Sequence, residues 1–415
     1  MRIVDVSAFY SPVGGGVRTY VEAKLRAGPR LGHETIVVVP GEHDHVERRG
    51  QGAILVHVAS PALPVDRRYR YFDDQRALHR VLDAWRPDHV EASSPWSSAT
   101  MVGRWQGAAT RSLVMHADPL AAYAYRWLGG VAPIATIDRW FAGFWRHLRG
   151  LGRLFDAVVC ANGQLARRLR TGGVDNTATI PMGVEAGRFS PQLRSAALRA
   201  GALESLGLPP EAMLLVGIGR FSGEKRWEMV VRAVQACARD CRLGLLLIGD
   251  GSRRAKLEVI AAAGGHVRIA PRLDARGEVA RLLASADALV HGCEAETFCL
   301  VAAEARASGL PMIVPDRGAA IDLLAPHAGT TYRSGNEGAL AGAIARFVDA
   351  GVELQRAAAV RHSSVRTIDE HFAELFERYA GLGSAPWPAA ASMPVEAFLA
   401  GVPALALARQ GLTRS

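Results

Sequence analysis

Short apolar runs alternate along this chain with longer stretches in which apolar positions recur every three or four residues. In the first half, Arg2–Ser7, Thr35–Pro40, Ile54–Val58, His89–Ala92, Ser112–His116 and Ala157–Ala161 read as strands. They are apolar in blocks rather than at every second residue, as befits strands buried on both faces of a parallel sheet. Helical patterns fill most of the gaps, beginning with Val17–Leu31. A polar stretch rich in Arg, Ala and Pro, 191–210, interrupts the alternation. It then restarts with strands Met213–Gly219, Leu243–Gly249, Val267–Ala270, Ala288–His291 and Met312–Pro315, and with helices such as Trp227–Arg239 and Glu278–Ala284. A last helix, Ile368–Tyr379, precedes a Pro/Ala-rich tail that holds one apolar helical candidate, Val395–Arg409.

Alternating strands and helices predict an α/β protein with two Rossmann-like, doubly wound domains facing a central cleft. The boundaries expected are 1–190 for the first domain, 191–210 for a linker and 211–360 for the second domain. A terminal helix within 361–383 is expected to pack back on the first domain, leaving 384–415 as a tail. Ligands of such sheets bind beyond the carboxyl ends of the strands, so chemistry is sought there.

Composition narrows the class. With 49% hydrophobic and 21% charged residues the chain is globular rather than disordered. No apolar run reaches the ~18 residues of a membrane-spanning helix, and Met1 leads directly into a strand without a signal-peptide pattern. A cytoplasmic protein is the expectation. The five cysteines have no metal-like spacing, and Cys237 and Cys241 read as core residues of a helix. The net charge of +9 is almost all arginine, since lysine occurs only at Lys24, Lys225 and Lys256. Residues 1–190 carry 24 Arg/Lys against 17 Asp/Glu, which suits an anionic surface or substrate. Nucleic acid and membrane both satisfy that balance.

The motifs are more discriminating. Glu296-Thr-Phe298-Cys299-Leu300-Val-Ala-Ala-Glu304 puts two carboxylates at a loop and a helix start, where hydroxyls of a sugar are gripped. Gly217-Ile-Gly219-Arg220-Phe-Ser-Gly-Glu-Lys225-Arg places two cations before a helix, an arrangement suited to a diphosphate. Ile248-Gly249-Asp250-Gly251 ends another strand of that half. Ser11-Pro-Val-Gly14-Gly15-Gly16-Val follows the first strand, either as a close backbone approach to an oxygen-rich ligand or as a tight βα turn. His116 ends a strand and is either structural or catalytic. His43-Asp44-His45 looks like a metal cluster but has no third partner in its loop. No Asp-x-Asp pair follows an apolar strand, so diphosphate charge falls to Arg220, Lys225 and helix ends.

Together these motifs resemble the family 4 glycosyltransferases, retaining enzymes of the GT-B fold. The likeness spans about residues 1–382 and is strongest from Gly217 to Pro315, with Ile180-Pro-Met-Gly-Val-Glu-Ala-Gly-Arg-Phe189 similar to the segment before the family's linker. It implies that Arg220 and Lys225 bind the donor diphosphate and steady the leaving group. Glu304 would bind the donor ribose and Glu296 the transferred sugar. Gly15 and Gly16 would approach the donor from the first domain, with His116 facing the reacting sugar. Gly219, Gly249, Asp250, Phe298, Cys299 and Leu300 complete the implied donor site. No divalent metal and no other cofactor is expected, the nucleotide-sugar (UDP- or GDP-linked) being a substrate. Cys299 departs from the family's usual Glu-x-Phe-Gly and narrows the space beside the donor.

Residues 121–155 interleave aromatic and basic side chains, among them Trp140, Phe144, Trp145, Arg146 and Arg149. Two readings fit: an amphipathic face for anionic lipid headgroups, or a core helix with snorkelling arginines. Glu91-Ala-Ser-Ser-Pro95 and this insertion look like the branch with sulfolipid and mannosyl or glucuronosyl lipid synthases, which implies a lipid acceptor at the inner membrane face. A soluble or polyprenyl-linked saccharide acceptor is the alternative, and a non-catalytic nucleotide- or membrane-binding protein is a third reading. No nucleic-acid-binding module is recognisable.

Overall fold

The structure is a computed structural model that describes residues 1–8, 10, 16–64, 69–239, 241–273 and 275–382. Gly15 and the tail 384–415 lie outside the described residues. The chain forms two units: 1–117 with 138–181 and 370 onward, and 118–137 with 182–369.

The first unit carries β1 (Arg2–Ser7), β2 (Glu34–Gly41), β3 (His45–Arg48), β4 (Ala53–Ala59), β5 (His89–Ser93), β6 (Thr110–Met115), β7 (Ala157–Cys160) and β8 (Thr177–Thr179). They form one sheet in the order β3-β4-β2-β1-β5-β6-β7-β8, parallel except for the β3/β4 hairpin. β1 lies between β2 and β5, pairing Ile3 with Thr35 and with His89. The order reverses there, which is the switch point of a doubly wound sheet. Val21 and Leu25 of the helix Gly16–Arg30 bury against Val37, Val39 and Leu55.

Beneath β1 and β5 lies a closed ionic cluster. Lys24 Nζ stands 2.7 Å from Asp5 Oδ2 and 2.6 Å from Glu91 Oε1, all three side chains being fully buried. Ser93 Oγ donates to Asp5 Oδ1 at 3.0 Å, and Tyr379 Oη donates to Glu91 Oε2 at 2.6 Å. Tyr379 comes from the helix Ile368–Gly381, whose buried face of His371, Phe372, Leu375, Phe376 and Tyr379 packs on this unit. Its ring stacks on His89 at 3.7 Å.

The second unit has β9 (Met213–Ile218), β10 (Leu243–Ile248), β11 (His266–Ala270), β12 (Ala288–Val290), β13 (Met312–Pro315) and β14 (Gly329–Tyr332). All are parallel, in the order β11-β10-β9-β12-β13-β14, with the switch between β9 and β12. Leu215, Trp227, Val230, Val234, Leu245, Leu247, Ile344 and Phe347 form its core. The stretch 191–210 belongs to this unit: it holds the helix Ala196–Glu204, and Arg199 Nη2 pairs with Asp287 Oδ2 at 2.7 Å.

The pattern of apolar runs did not reveal β3, β8 and β14. Each lies at a sheet edge, where much of the strand faces solvent and the apolar block is lost. Among the described residues no helix is long and apolar enough to cross a membrane.

Candidate active site

The second unit gathers most of the chemistry at the carboxyl ends of β9, β10 and β12. The loop after β9 is pinned from below. Trp227 Nε1 donates to Arg220 O at 2.9 Å, and the backbone N–H of Gly219 donates to Ile248 O at 3.0 Å. Gly249 must be glycine, because a Cβ there would stand 1.9 Å from Gly219 O. This clamp leaves Arg220 exposed and turns Lys225 toward the loop after β12.

Lys225 Nζ pairs there with Glu296 Oε1. Burial disfavours the charge of Lys225, yet the Glu296 carboxylate raises its pKa. Burial likewise works against the Glu296 carboxylate, but the paired Lys225 ammonium, with the Arg220 charge adding to it, holds its pKa below the usual range. Both groups are therefore charged at neutral pH. Their side chains keep 19% and 22% exposure, so the pair is open on one side. On the closed side, His291 Nε2 stands 3.9 Å from Glu296 Oε1 and 3.5 Å from Cys299 Sγ. Burial pulls His291 down to about 4, so the imidazole is neutral, and burial raises the Cys299 thiol.

Cys299 caps the helix Leu300–Ala307 in the left-handed region, at φ 64°. Glycine adopts that conformation freely, whereas a side chain costs about 1–2 kcal/mol. Phe298 is buried next to it and Leu300 half-buried. Glu304 lies on the buried face of the same helix, where Arg276 Nη2 donates to its Oε1 at 2.6 Å. Burial raises the Glu304 pKa against the pull of Arg276.

Not every expected residue joins this group. Asp250 is exposed and accepts from the backbone N–H of Gly251 at 2.9 Å, shaping its own turn. Gly16 and His116 belong to the first unit. Gly16 opens the helix Gly16–Arg30, and His116 follows β6 with its ring edge-on to Tyr20 at 4.6 Å. Burial lowers His116 to about 4, leaving it neutral.

The aromatic and basic stretch divides. Trp145 is a correction to the expected membrane face: it is buried, its Nε1 donates to Asp138 Oδ1 at 3.0 Å, and Arg168 lies over its ring. The helix Ala142–Leu154 turns Trp145, Leu148 and Leu151 inward at three-residue spacing. Phe144 is half-buried, and Arg149 is half-buried with its Nη1 on Gly172 O at 3.1 Å. Trp140 and Arg146 are exposed. Of the large hydrophobic side chains exposed among the described residues, Tyr123, Trp127, Val131, Ile134, Trp140, Phe141 and Leu154 crowd into this one stretch.

Four partners were missed from sequence. Arg276 holds Glu304 across 28 positions, and Arg226 forks onto Glu294 across 68. His291 ends β12 much as His116 ends β6, and the same strand-end rule marks it. Arg126 reaches the loop after β9 from 118–137, a Cβ on Gly223 falling 2.5 Å from its Nη1. It follows a π-helical turn, Leu120–Tyr125, a feature frequent at functional sites. His45 finds the partners its loop lacks: Glu47 Oε1 lies 3.0 Å from its Nε2 and 3.1 Å from His57 Nε2.

Known proteins show the family. Residues 14–188 match the model described as Glycosyltransferase Family 4, and 202–361 that of Glycosyl transferases group 1. A GDP-mannose-dependent alpha-(1-6)-phosphatidylinositol dimannoside mannosyltransferase of Mycobacterium tuberculosis is 30% identical over 373 residues, 88% of this chain and 93% of the relative. This chain is a family 4 glycosyltransferase. The transferase is also similar to sulfoquinovosyl transferase SQD2 of Arabidopsis thaliana, 25% identical over 74% of this chain and 58% of that one. In fold, the transferase resembles the sucrose-phosphate synthase of Thermosynechococcus elongatus, with a TM-score of 0.69 and 19% identity over 92% of this chain and all of the other. Its two parallel-sheet units are those of the GT-B class.

Proposed function

We propose that the transferase moves mannose from GDP-mannose to an inositol-phospholipid-type glycolipid, with retention of configuration and without a divalent metal. The half-open Lys225–Glu296 pair, with Arg220 beside it, carries the catalytic part of this reading. Arg220 and Lys225 would neutralise charge growing on the departing diphosphate, the work a metal ion does elsewhere. Glu296 would accept hydrogen bonds from the sugar, and Glu304, steadied by Arg276, from the ribose. The acceptor hydroxyl would attack on the face the diphosphate leaves, its proton passing to the leaving phosphate. His116 would face the reacting sugar. The choice of GDP-mannose and of a lipid rests on the mycobacterial relative, which bears both in its name.

The crowding of exposed apolar side chains between Tyr123 and Leu154 supports an acceptor met at a membrane surface. Trp127 and Trp140 would enter the headgroup region, and Arg126 would meet a headgroup phosphate close to the donor loop. The inner face of the plasma membrane is the proposed location. A soluble or polyprenyl-linked saccharide acceptor is the competing reading, and in its soluble form it predicts no membrane affinity.

The deciding experiment incubates the protein with GDP-mannose, UDP-glucose or UDP-glucuronate, bacterial lipid extract and chelator, followed by mass spectrometry. A hexose added to an inositol phospholipid from GDP-mannose alone, with chelator present, is the expected result. Transfer only from a UDP-sugar, or only to a soluble saccharide, would overturn donor or acceptor respectively.

A further inference from the structure

The closed side of Glu296 carries a second chemistry. His291, Glu296 and Cys299 each offer one ligand atom, and these three atoms all lie within 4.8 Å of one another. Metal–sulfur bonds of about 2.3 Å and metal–nitrogen bonds of about 2.0 Å set neighbouring donors of a tetrahedral site roughly 3.3–3.6 Å apart. The His291–Cys299 edge, at 3.5 Å, has that length, and the His291–Glu296 edge, at 3.9 Å, approaches it. A thiol, a neutral imidazole and a carboxylate are the donors zinc selects. His291 and Cys299 are buried, while the exposed side of Glu296 leaves an entry for an ion. The backbone at Cys299 adds weight. A thiol sits there in a conformation that favours glycine.

We propose that His291, Glu296 and Cys299 bind a thiophilic divalent cation of the zinc class, and that this ion switches the transferase off by taking Glu296 from Lys225. On binding, the Cys299 sulfur forms the bond to the metal and releases its proton to solvent, with no change of oxidation state. The ion's charge repels the Lys225 ammonium, which loses both its carboxylate and its place beside the diphosphate. The inhibition rests on the transferase reading. The ion site does not.

Cobalt(II) titration of the full chain, without donor, tests the site directly. The parent should develop a near-ultraviolet sulfur-to-cobalt band that zinc abolishes. Cys299→Ser should lose that band, and His291→Ala should bind zinc more than about tenfold more weakly. Cys160→Ser, a buried thiol of the first unit, should retain it. Cys299→Gly, which suits the left-handed backbone, guards against a result due to misfolding. Absence of the band in the parent, or its survival in both Cys299 variants, refutes the site. In the transfer assay, zinc should lower the parent's rate reversibly, with at least about a tenfold higher inhibitory concentration for Cys299→Ser, whatever its basal rate. Equal zinc sensitivity refutes the inhibition. A parent inactive with every donor would refute the transferase reading and leave the cobalt result standing.

Discussion

Lys24 and Lys225 are two of only three lysines in the chain, and both end against carboxylates. Lys24 is sealed between Asp5 and Glu91, which stand in the middle of β1 and β5. Lys225 meets Glu296 in loops beyond the ends of β9 and β12, with a fifth of each side chain in solvent. Charges in the middle of a parallel strand are covered by helices and can only hold the structure. Charges past a strand's end remain within reach of a ligand. Scarcity of lysine thus marks an engaged cation, and its place along the strand tells structure from chemistry.

The largest test of this contrast is Lys24→Met. It leaves Asp5 and Glu91 buried without their cation and should cost about 3–5 kcal/mol in urea denaturation. A protein of undiminished stability but lost transfer would dissolve the distinction. Lys225→Ala should do the reverse, lowering kcat by roughly 10²–10³-fold, the scale for removing one charge-stabilising group, with a much smaller shift of the urea midpoint. Tyr379→Phe removes a hydrogen bond to a buried carboxylate and should cost about 1.5–3 kcal/mol, leaving the KM for donor unchanged. The last test concerns pH dependence, whose effect per pH unit is the smallest for any one residue. Burial lowers His89 to about 3 and His116 and His291 to about 4. The unfolded chain takes up protons near pH 6.5, which the folded chain refuses until those lower values. Stability therefore falls on acidification between them, by about 1.4 kcal/mol per pH unit for each histidine. The slope for His89→Asn, read from melting at several pH values, should be shallower by one proton. An unchanged slope would mean that His89 is not held neutral.

What the sequence disclosed followed from local periodicity. The buried strands and the loops after β9 and β12 were legible because apolar blocks and helix starts are short-range signals. Arg276–Glu304 and Arg226–Glu294 were not, since nothing local encodes pairing across tens of residues. Trp145 shows a further limit. Helical spacing joins it to Leu148 and Leu151, but only the packed structure decides whether that stripe or the one bearing arginines meets the core. The edge strand β14 escaped for want of an apolar block, although Tyr332 Oη donates to His291 O at 2.8 Å, at the end of β12.

Tyr379 stands 288 positions after the Glu91 it bonds. On a ribosome adding ~5–20 residues per second, that separation is roughly 15–60 s of synthesis. Throughout that interval the nascent first unit holds Asp5, Lys24 and Glu91 without their last cover, while every strand of the second unit emerges. The unit begun first is completed last, so a truncated message would yield a nascent chain with a finished second unit and a first unit left ajar.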